Sequence, residues 1–280
     1  MIKQLLILLI FLLLISACAA EGPLVMQNYN LQSEKIKTGD SIKIVVISDT
    51  HSQIFEQGGK RIIDKVKNEK PDFIFLTGDI IDNKLPLIGS KIFLYNIQNI
   101  APIYYVPGNH EYYNRNIDEL LAVVKNYGIM VLQDIFIEIE LRGNKIIIAG
   151  ADDPARKKFR ADDYDWQAAS EQAFSALADK DGYKILLVHR PDHAAAFAKY
   201  TIDLMLSGHT HGGQIRFPPF INGLYAPGQG LFPQYPGGQY QIDSLTLIIS
   251  RGLTTERPRL PRLNNPPEIV VVEITGIDDP

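Results

Sequence analysis

The chain holds a single cysteine, Cys18. A lone thiol cannot close an internal disulfide, so oxidative cross-linking plays no part in holding the fold. Positive charge is scarce as well: 28 Lys and Arg face 32 Asp and Glu, for a net charge of −4, and no basic cluster is interleaved with aromatics. Nucleic acid as a partner therefore has no electrostatic support. There is no Gly-x-Ser-x-Gly elbow and no phosphate-cradling Gly-x4-Gly-Lys-Ser/Thr loop. Both absences leave covalent serine chemistry and P-loop chemistry without a motif. Internal repeats and low-complexity segments are also lacking, and the longest apolar run, Leu5 to Ile15, is short of the ~20 residues that a bilayer-spanning helix needs.

What stands at the amino terminus is MIKQLLILLIFLLLISACAA: one cation, an apolar run and then small residues. This is the layout of an export signal. Ile15-Ser16-Ala17-Cys18 resembles a bacterial lipobox, in which cleavage precedes an acylated cysteine. The expectation is a signal over residues 1–17, lipidation at Cys18, and a membrane-anchored, extracytoplasmic protein of the bacterial envelope. An uncleaved apolar anchor is the alternative. Removing residues 1–17 takes away only Lys3, so the charge moves to −5.

Residues 18–40 lack periodicity and read as a tether. From Ser41 to about residue 275 the pattern is that of one domain. Short apolar strands at Ile42–Ile47, Phe73–Leu76, Ile103–Val106, Ile185–Val188 and Leu204–Leu206 alternate with amphipathic segments at 55–68, 87–99, 117–126 and 166–178. Such alternation predicts an α/β fold. Hairpin pairs at 135–141 with 145–149 and 240–242 with 245–249, and a last strand at 269–274, make the sheets mixed. The Pro-, Gly- and aromatic-rich stretch 216–239 predicts a long ordered loop.

Each of the five strands is followed at once by a polar cluster: Asp49-Thr50-His51, Gly78-Asp79-Ile80-Ile81-Asp82, Gly108-Asn109-His110-Glu111, His189, and Gly208-His209-Thr210-His211. Ligands of α/β sheets bind beyond the carboxyl ends of strands, so the five clusters converge on one edge. They hold five of the six histidines, leaving only His193. Imidazole with Asp and Asn oxygens suits Mn, Fe or Zn. Alternation along an extended strand end would point Asp49 with His51, and His209 with His211, to one side. Asp79 is the natural bridge of a pair of ions.

The ordered set DTH, GDIID, GNHE, VHRPD and GHTHGG resembles the signature of the calcineurin-like metallophosphoesterases. The resemblance implies a mixed β-sandwich flanked by helices, in four αββα layers, and two divalent ions. One would be held by Asp49, His51, Asp79 and His211, the other by Asp79, Asn109, His189 and His209, with a hydroxide between them attacking a phosphodiester or pyrophosphate bond. His110 would protonate the leaving oxygen, with Asp82 orienting it. Arg251 and Arg216 are candidate phosphate contacts.

GHTHGGQIRFP and ISRGL with NNPPEI resemble the membrane-associated bacterial branch of that family. A lipid-linked or nucleotide-diphospho substrate follows from that likeness. A phosphomonoesterase or nucleotidase, a UDP-diacylglucosamine pyrophosphatase, and an inactive envelope scaffold are the alternatives. Asn83 follows Asp82 where the protein Ser/Thr phosphatases carry arginine, which disfavours a phosphoprotein substrate.

Overall fold

The computed structural model describes residues 23–114, 116–160, 163–255 and 260–277. Two six-stranded sheets stack face to face. The first has the order β1-β14-β2-β3-β4-β5, from β1 (Val25–Ser33), β14 (Glu268–Gly276), β2 (Ser41–Ile47), β3 (Phe73–Thr77), β4 (Ile103–Val106) and β5 (Met130–Val131). The second has the order β12-β13-β9-β8-β7-β6, from β12 (Gly238–Ile242), β13 (Leu245–Ile249), β9 (Leu204–Ser207), β8 (Tyr183–Leu187), β7 (Asn144–Gly150) and β6 (Ile135–Leu141).

The period-2 alternation of β2 divides its side chains between two cores. Ile42, Ile44 and Val46 enter the space between the sheets, where they meet Phe75, Ile148 and Leu206. Val45 and Ile47 point the other way, onto helices α1 (Lys60–Glu69), α2 (Ile88–Ile97) and α4 (Ile117–Lys125), through Ile63, Val66, Leu94 and Leu121. On the far face of the second sheet, Phe174 and Phe197 cover Ile147, Leu186 and Met205. The layers are therefore helix, sheet, sheet and helix. Fully burying one such aliphatic side chain contributes about 1.5–3 kcal/mol, so the central strands anchor the loops at their ends firmly.

The tether expected over residues 18–40 is a correction. Residues Val25–Ser33 form edge strand β1, paired in parallel with β14. Its sequence, VMQNYNLQS, alternates only weakly: Tyr29 and Leu31 pack toward the core between the sheets, while Asn28, Asn30 and Gln32 on the other face are exposed and Gln27 and Ser33 dilute the apolar side. Because β14 runs antiparallel to β2, both β14 and β1 start at the edge where β2, β3 and β4 end. The long loop 216–239 contains a two-stranded ribbon, β10 (Tyr225–Ala226) with β11 (Gly230–Leu231).

Candidate metal centre

The loops leaving β2, β3, β4, β8 and β9 meet at one edge. Hydrogen bonds lace them together: Asp49 N donates to Gly78 O at 3.1 Å, His51 N to Asp79 O at 2.9 Å, and Thr254 N to Asp49 O at 2.9 Å. Asp49, His51, Asp79, His209 and His211 all have left-handed backbones, with φ between 48° and 71°. The expected alternation of an extended strand end is thus not what aims Asp49 with His51 or His209 with His211. The chain turns left-handed at these five residues, a conformation Asp and His tolerate better than most, at about 1–3 kcal/mol each.

The neighbouring glycines answer a need for space. A Cβ at Gly108 would collide with the Asp79 carboxylate, and one at Gly208 with Ser48 and Asp49. Glu111, in the short helix α3 (Asn109–Tyr113), is fully buried and accepts N–H bonds from Asp79 at 3.0 Å, Ile81 at 2.8 Å and Gly108 at 2.8 Å. It ties the second cluster to the third. The sequence places Glu111 in a cluster without revealing this task.

The donor atoms gather in three overlapping groups: Asp49, His51 and His211; His51, Asp79 and His110; and Asp79, His189 and His209. Asp79 belongs to two of them. His189 Nδ1 donates to Thr77 O at 2.8 Å, which leaves Nε2 to hold a metal ion or, without one, a proton. That nitrogen faces acceptors: Asp79 Oδ2 at 3.2 Å, Asn109 Oδ1 at 3.2 Å and His209 Nδ1 at 3.1 Å. Likewise His51 Nδ1 faces Asp82 Oδ2 at 3.2 Å, while its Nε2 meets His211 Nε2 at 3.3 Å. Asp49 Oδ1 lies 3.9 Å and 3.7 Å from those two nitrogens. Lone pairs pointed at one another are stable only around positive charge, so the residues fit divalent ions.

Electrostatics say the same. Burial disfavours a charged ring at His189, but Asp79 and Asp49 outweigh it and push the ring up to about 10. Burial would raise Asp79, yet His189 and the other imidazoles hold it well below the usual carboxylate range. Burial, helped by His189 and Arg190 beside His209 and by His51 and Arg262 beside His211, keeps these two rings well below ordinary histidine values, neutral and ready to ligate.

His110 differs from the other rings. Its side chain is 21% exposed, against 2% for His51 and 0% for His189. Its Nδ1 sits 3.1 Å from Asp82 Oδ2, so the ring reaches the solvent side of the cluster rather than its interior. His193, the leftover histidine, packs at a tilt against Trp166, with ring centroids 4.5 Å apart.

The two arginines expected at the phosphate each have a protein partner. Arg251 donates its Nε to Glu268 at 2.6 Å, and its backbone N–H to the same carboxylate at 2.8 Å. Arg216 donates to Asn222, in the loop beyond. Glu268 lies seventeen residues after Arg251, on the strand β14, and no local pattern announces the pair. A third arginine reaches the donor groups: Arg190, whose Nη1 is 3.4 Å from His209 Nε2 and whose Nε is held by Asp153 at 2.8 Å. The signal for it was its place beside His189. Cys18 lies outside the described residues.

The profile described as calcineurin-like phosphoesterase matches residues 42–213. The chain is 31% identical over 261 residues to an uncharacterised metallophosphoesterase of Aquifex aeolicus, covering 90% of this chain and 92% of that one. It is 34% identical over 250 residues to the uncharacterised metallophosphoesterase YkuE of Bacillus subtilis, covering 87% and 82%. Among solved structures, TT1561 of Thermus thermophilus superposes with a TM-score of 0.52 at 15% identity, over 75% of this chain and 89% of that one. That likeness is one of fold.

Proposed function

The chain belongs to the calcineurin-like phosphoesterases and is a metal-dependent hydrolase of phosphoric esters, and from that premise we propose that it cleaves a phosphodiester or pyrophosphate bond at a membrane surface. The observation that carries the reading is the place of Asp79 in two overlapping donor groups, which suits a carboxylate shared by a pair of ions. Asp49, His51 and His211 would complete one site, and Asn109, His189 and His209 the other. When bound, such ions acidify water to a pKa near ~7 and offset charge on the phosphoryl oxygens.

The protein's own residues do the rest. Asp82 presents one oxygen to His110 Nδ1, which fixes the ring and favours its charged form. With a proton on its far nitrogen, His110 can deliver it to the leaving oxygen as the phosphorus–oxygen bond breaks. Glu111 holds the Asp79 backbone still while this happens. Arg190, braced by Asp153, offers positive charge to a non-bridging oxygen.

Placement at a membrane rests on the sequence and on the topology. The apolar run before Cys18 suits an envelope anchor, and β1 enters the sheet at the same edge as the ligands. A tether ending there would hold this edge toward lipid. Phe220 and Phe232, 90% and 67% exposed in the loop after β9, add apolar surface suited to an interface. No helix among the described residues is long and apolar enough to cross a membrane.

The test is metal analysis of protein loaded with Mn, Fe or Zn, followed by hydrolysis of bis(p-nitrophenyl) phosphate and p-nitrophenyl phosphate. Two ions per chain and faster diester turnover are expected. Faster monoester turnover would favour a phosphomonoesterase, and failure to bind any metal would favour a scaffold.

A further inference from the structure

The stretch Asn264-Asn265-Pro266-Pro267 has no part in the mechanism above, yet it reaches the metal centre. Asn265 is 2% exposed, and its amide nitrogen donates to two carbonyls of the loop after β9, His211 O at 2.7 Å and Gln214 O at 3.2 Å. Two acceptors on one side settle which end of the amide is nitrogen. Gly212 lies against the other end, where a Cβ would collide with Asn265 Oδ1. The backbone reinforces the contact: Leu263 N donates to Gln214 O at 3.0 Å, and Arg216 N to Leu263 O at 3.0 Å. Pro266 and Pro267 follow at once and β14 starts at Glu268, so the amide is aimed from a chain with little freedom.

Arg262, three residues before Asn265, holds a second loop. Its Nε donates to Thr254 O at 2.8 Å, and its Nη2 to Arg251 O at 2.7 Å and Gly252 O at 3.3 Å. That turn bears directly on Asp49. Thr254 N donates to Asp49 O at 2.9 Å, Leu253 N to Ser48 O at 3.1 Å, and a Cβ at Gly252 would stand 2.7 Å from that of Asp49. Asp49 and His211 belong to the same donor group, so the two side chains of this one segment act on a single proposed ion site through two different loops. His211 Nδ1, Gln214 Oε1 and Asn265 Oδ1 are buried and have no hydrogen-bond partner among the described residues. An ion on His211 Nε2 would fix the ring proton on Nδ1, which supplies one donor beside two acceptors.

We infer that Arg262 and Asn265 are positioning residues for one ion alone, the one on Asp49, His51 and His211, and that its affinity depends on a segment remote from those ligands in sequence. The inference rests on the two-ion reading above. Neither side chain touches the ion; each fixes backbone carbonyls whose loop aims a ligand. Freeing such a loop loosens the ligand and weakens the metal, typically by about 10–100-fold. The neighbouring ion, on Asn109, His189 and His209, takes its ligands from other loops and keeps its hold. The two sites therefore differ in what maintains them, and one can empty while the other stays filled.

Manganese titration of the full-length protein, read by calorimetry and by electron paramagnetic resonance, tests this. The wild type should bind two ions and give the spectrum of a coupled pair. Asn265→Ala should weaken one ion by about 10–100-fold and the other by less than about 2-fold, leaving the spectrum of an isolated ion at intermediate manganese. Asn265→Ser, whose hydroxyl can still donate to one carbonyl, should recover part of the loss, and Arg262→Lys should weaken the same single ion. Added to His189→Ala, the change Asn265→Ala should weaken the ion that is left; added to His51→Ala, it should leave the remaining ion unchanged. Circular dichroism reports folding, and if Asn265→Ala does not fold, Asn265→Ser and Arg262→Lys carry the same comparison. Equal weakening of both ions, or of neither, in a wild-type background that binds two overturns this inference alone. A wild type that binds fewer than two ions overturns the two-ion reading itself.

Discussion

Asp82 Oδ2 stands 3.1 Å from Nδ1 of His110, and the same oxygen stands 3.2 Å from Nδ1 of His51. One carboxylate atom thus serves a proposed ligand and a proposed proton donor. The other oxygen is occupied by the backbone N–H groups of Lys84 and Leu85 at 2.7 and 2.9 Å, so the carboxylate cannot turn away. His110→Asn should keep both metal ions and slow turnover by about 10²–10⁴. An alkoxide leaving group should suffer most and p-nitrophenolate least. Diesters of graded leaving-group pKa measure this, and an equal loss across the series would remove the proton-donor role.

Asp79→Ala should lose more activity than any other single ligand change and lower metal content at both sites, since its carboxylate belongs to two of the three donor groups and lies 3.7 Å from His51 of the remaining one. Atomic absorption of the purified variant gives the answer. Two retained ions with near-normal turnover would contradict the shared-ligand assignment.

Glu111→Ala leaves three buried N–H groups without an acceptor. At about 1–3 kcal/mol per unsatisfied group, partly relieved by entering water, stability should fall by roughly 2–5 kcal/mol. Urea unfolding of metal-free protein reports it. A loss below about 1 kcal/mol would mean that the loops hold without this carboxylate.

Gly208→Ala places a methyl group against Ser48 and Asp49, side chains that cannot withdraw from the core. The variant should fold yet bind metal at least ~10-fold more weakly, because a displaced Asp49 no longer faces His211. Metal titration followed by intrinsic fluorescence decides the point, with wild-type affinity as the contrary result.

Asp152 offers a test of pH linkage away from the metal ligands. Burial, helped by Asp134 nearby, raises its carboxyl from 3.8 to about 6, against the opposing hydrogen bond from Tyr112. The folded protein therefore holds this proton more tightly than the unfolded chain. Its contribution to stability is greatest below pH 3.8 and is lost as pH rises through about 6. The shift corresponds to something on the order of 3 kcal/mol. Unfolding free energies of wild type and Asp152→Asn, compared from pH 4 to 7, should diverge in slope in that window; parallel curves would refute the shift.

Much of the centre was legible because each ligand follows directly on a strand of strong apolar pattern. Ile42–Ile47 or Leu204–Leu206 could be placed from local sequence, and Asp49 or His209 came with them. Their partnership was legible too, since parallel strands bring their carboxyl ends to one edge. What was hidden depends on contacts between distant segments of little local pattern. β1 has a weak apolar face, Tyr29 and Leu31 amid polar residues, and its ladder to β14 is what makes it a strand. Arg251 looks free until Glu268 arrives from β14. Arg190 was passed over because an arginine beside a histidine gains meaning only once Asp153 fixes its direction.

The order of the first sheet, with β14 lying between β1 and β2, also governs how the chain can be made. During synthesis the first two strands emerge early but cannot become neighbours, since the slot between them belongs to the last strand. Until residue 276 leaves the ribosome, β2 shows an open edge and β1 has no partner. The nascent polypeptide is therefore kept short of its final form, and this sheet is complete only once β14 lies between the two oldest strands.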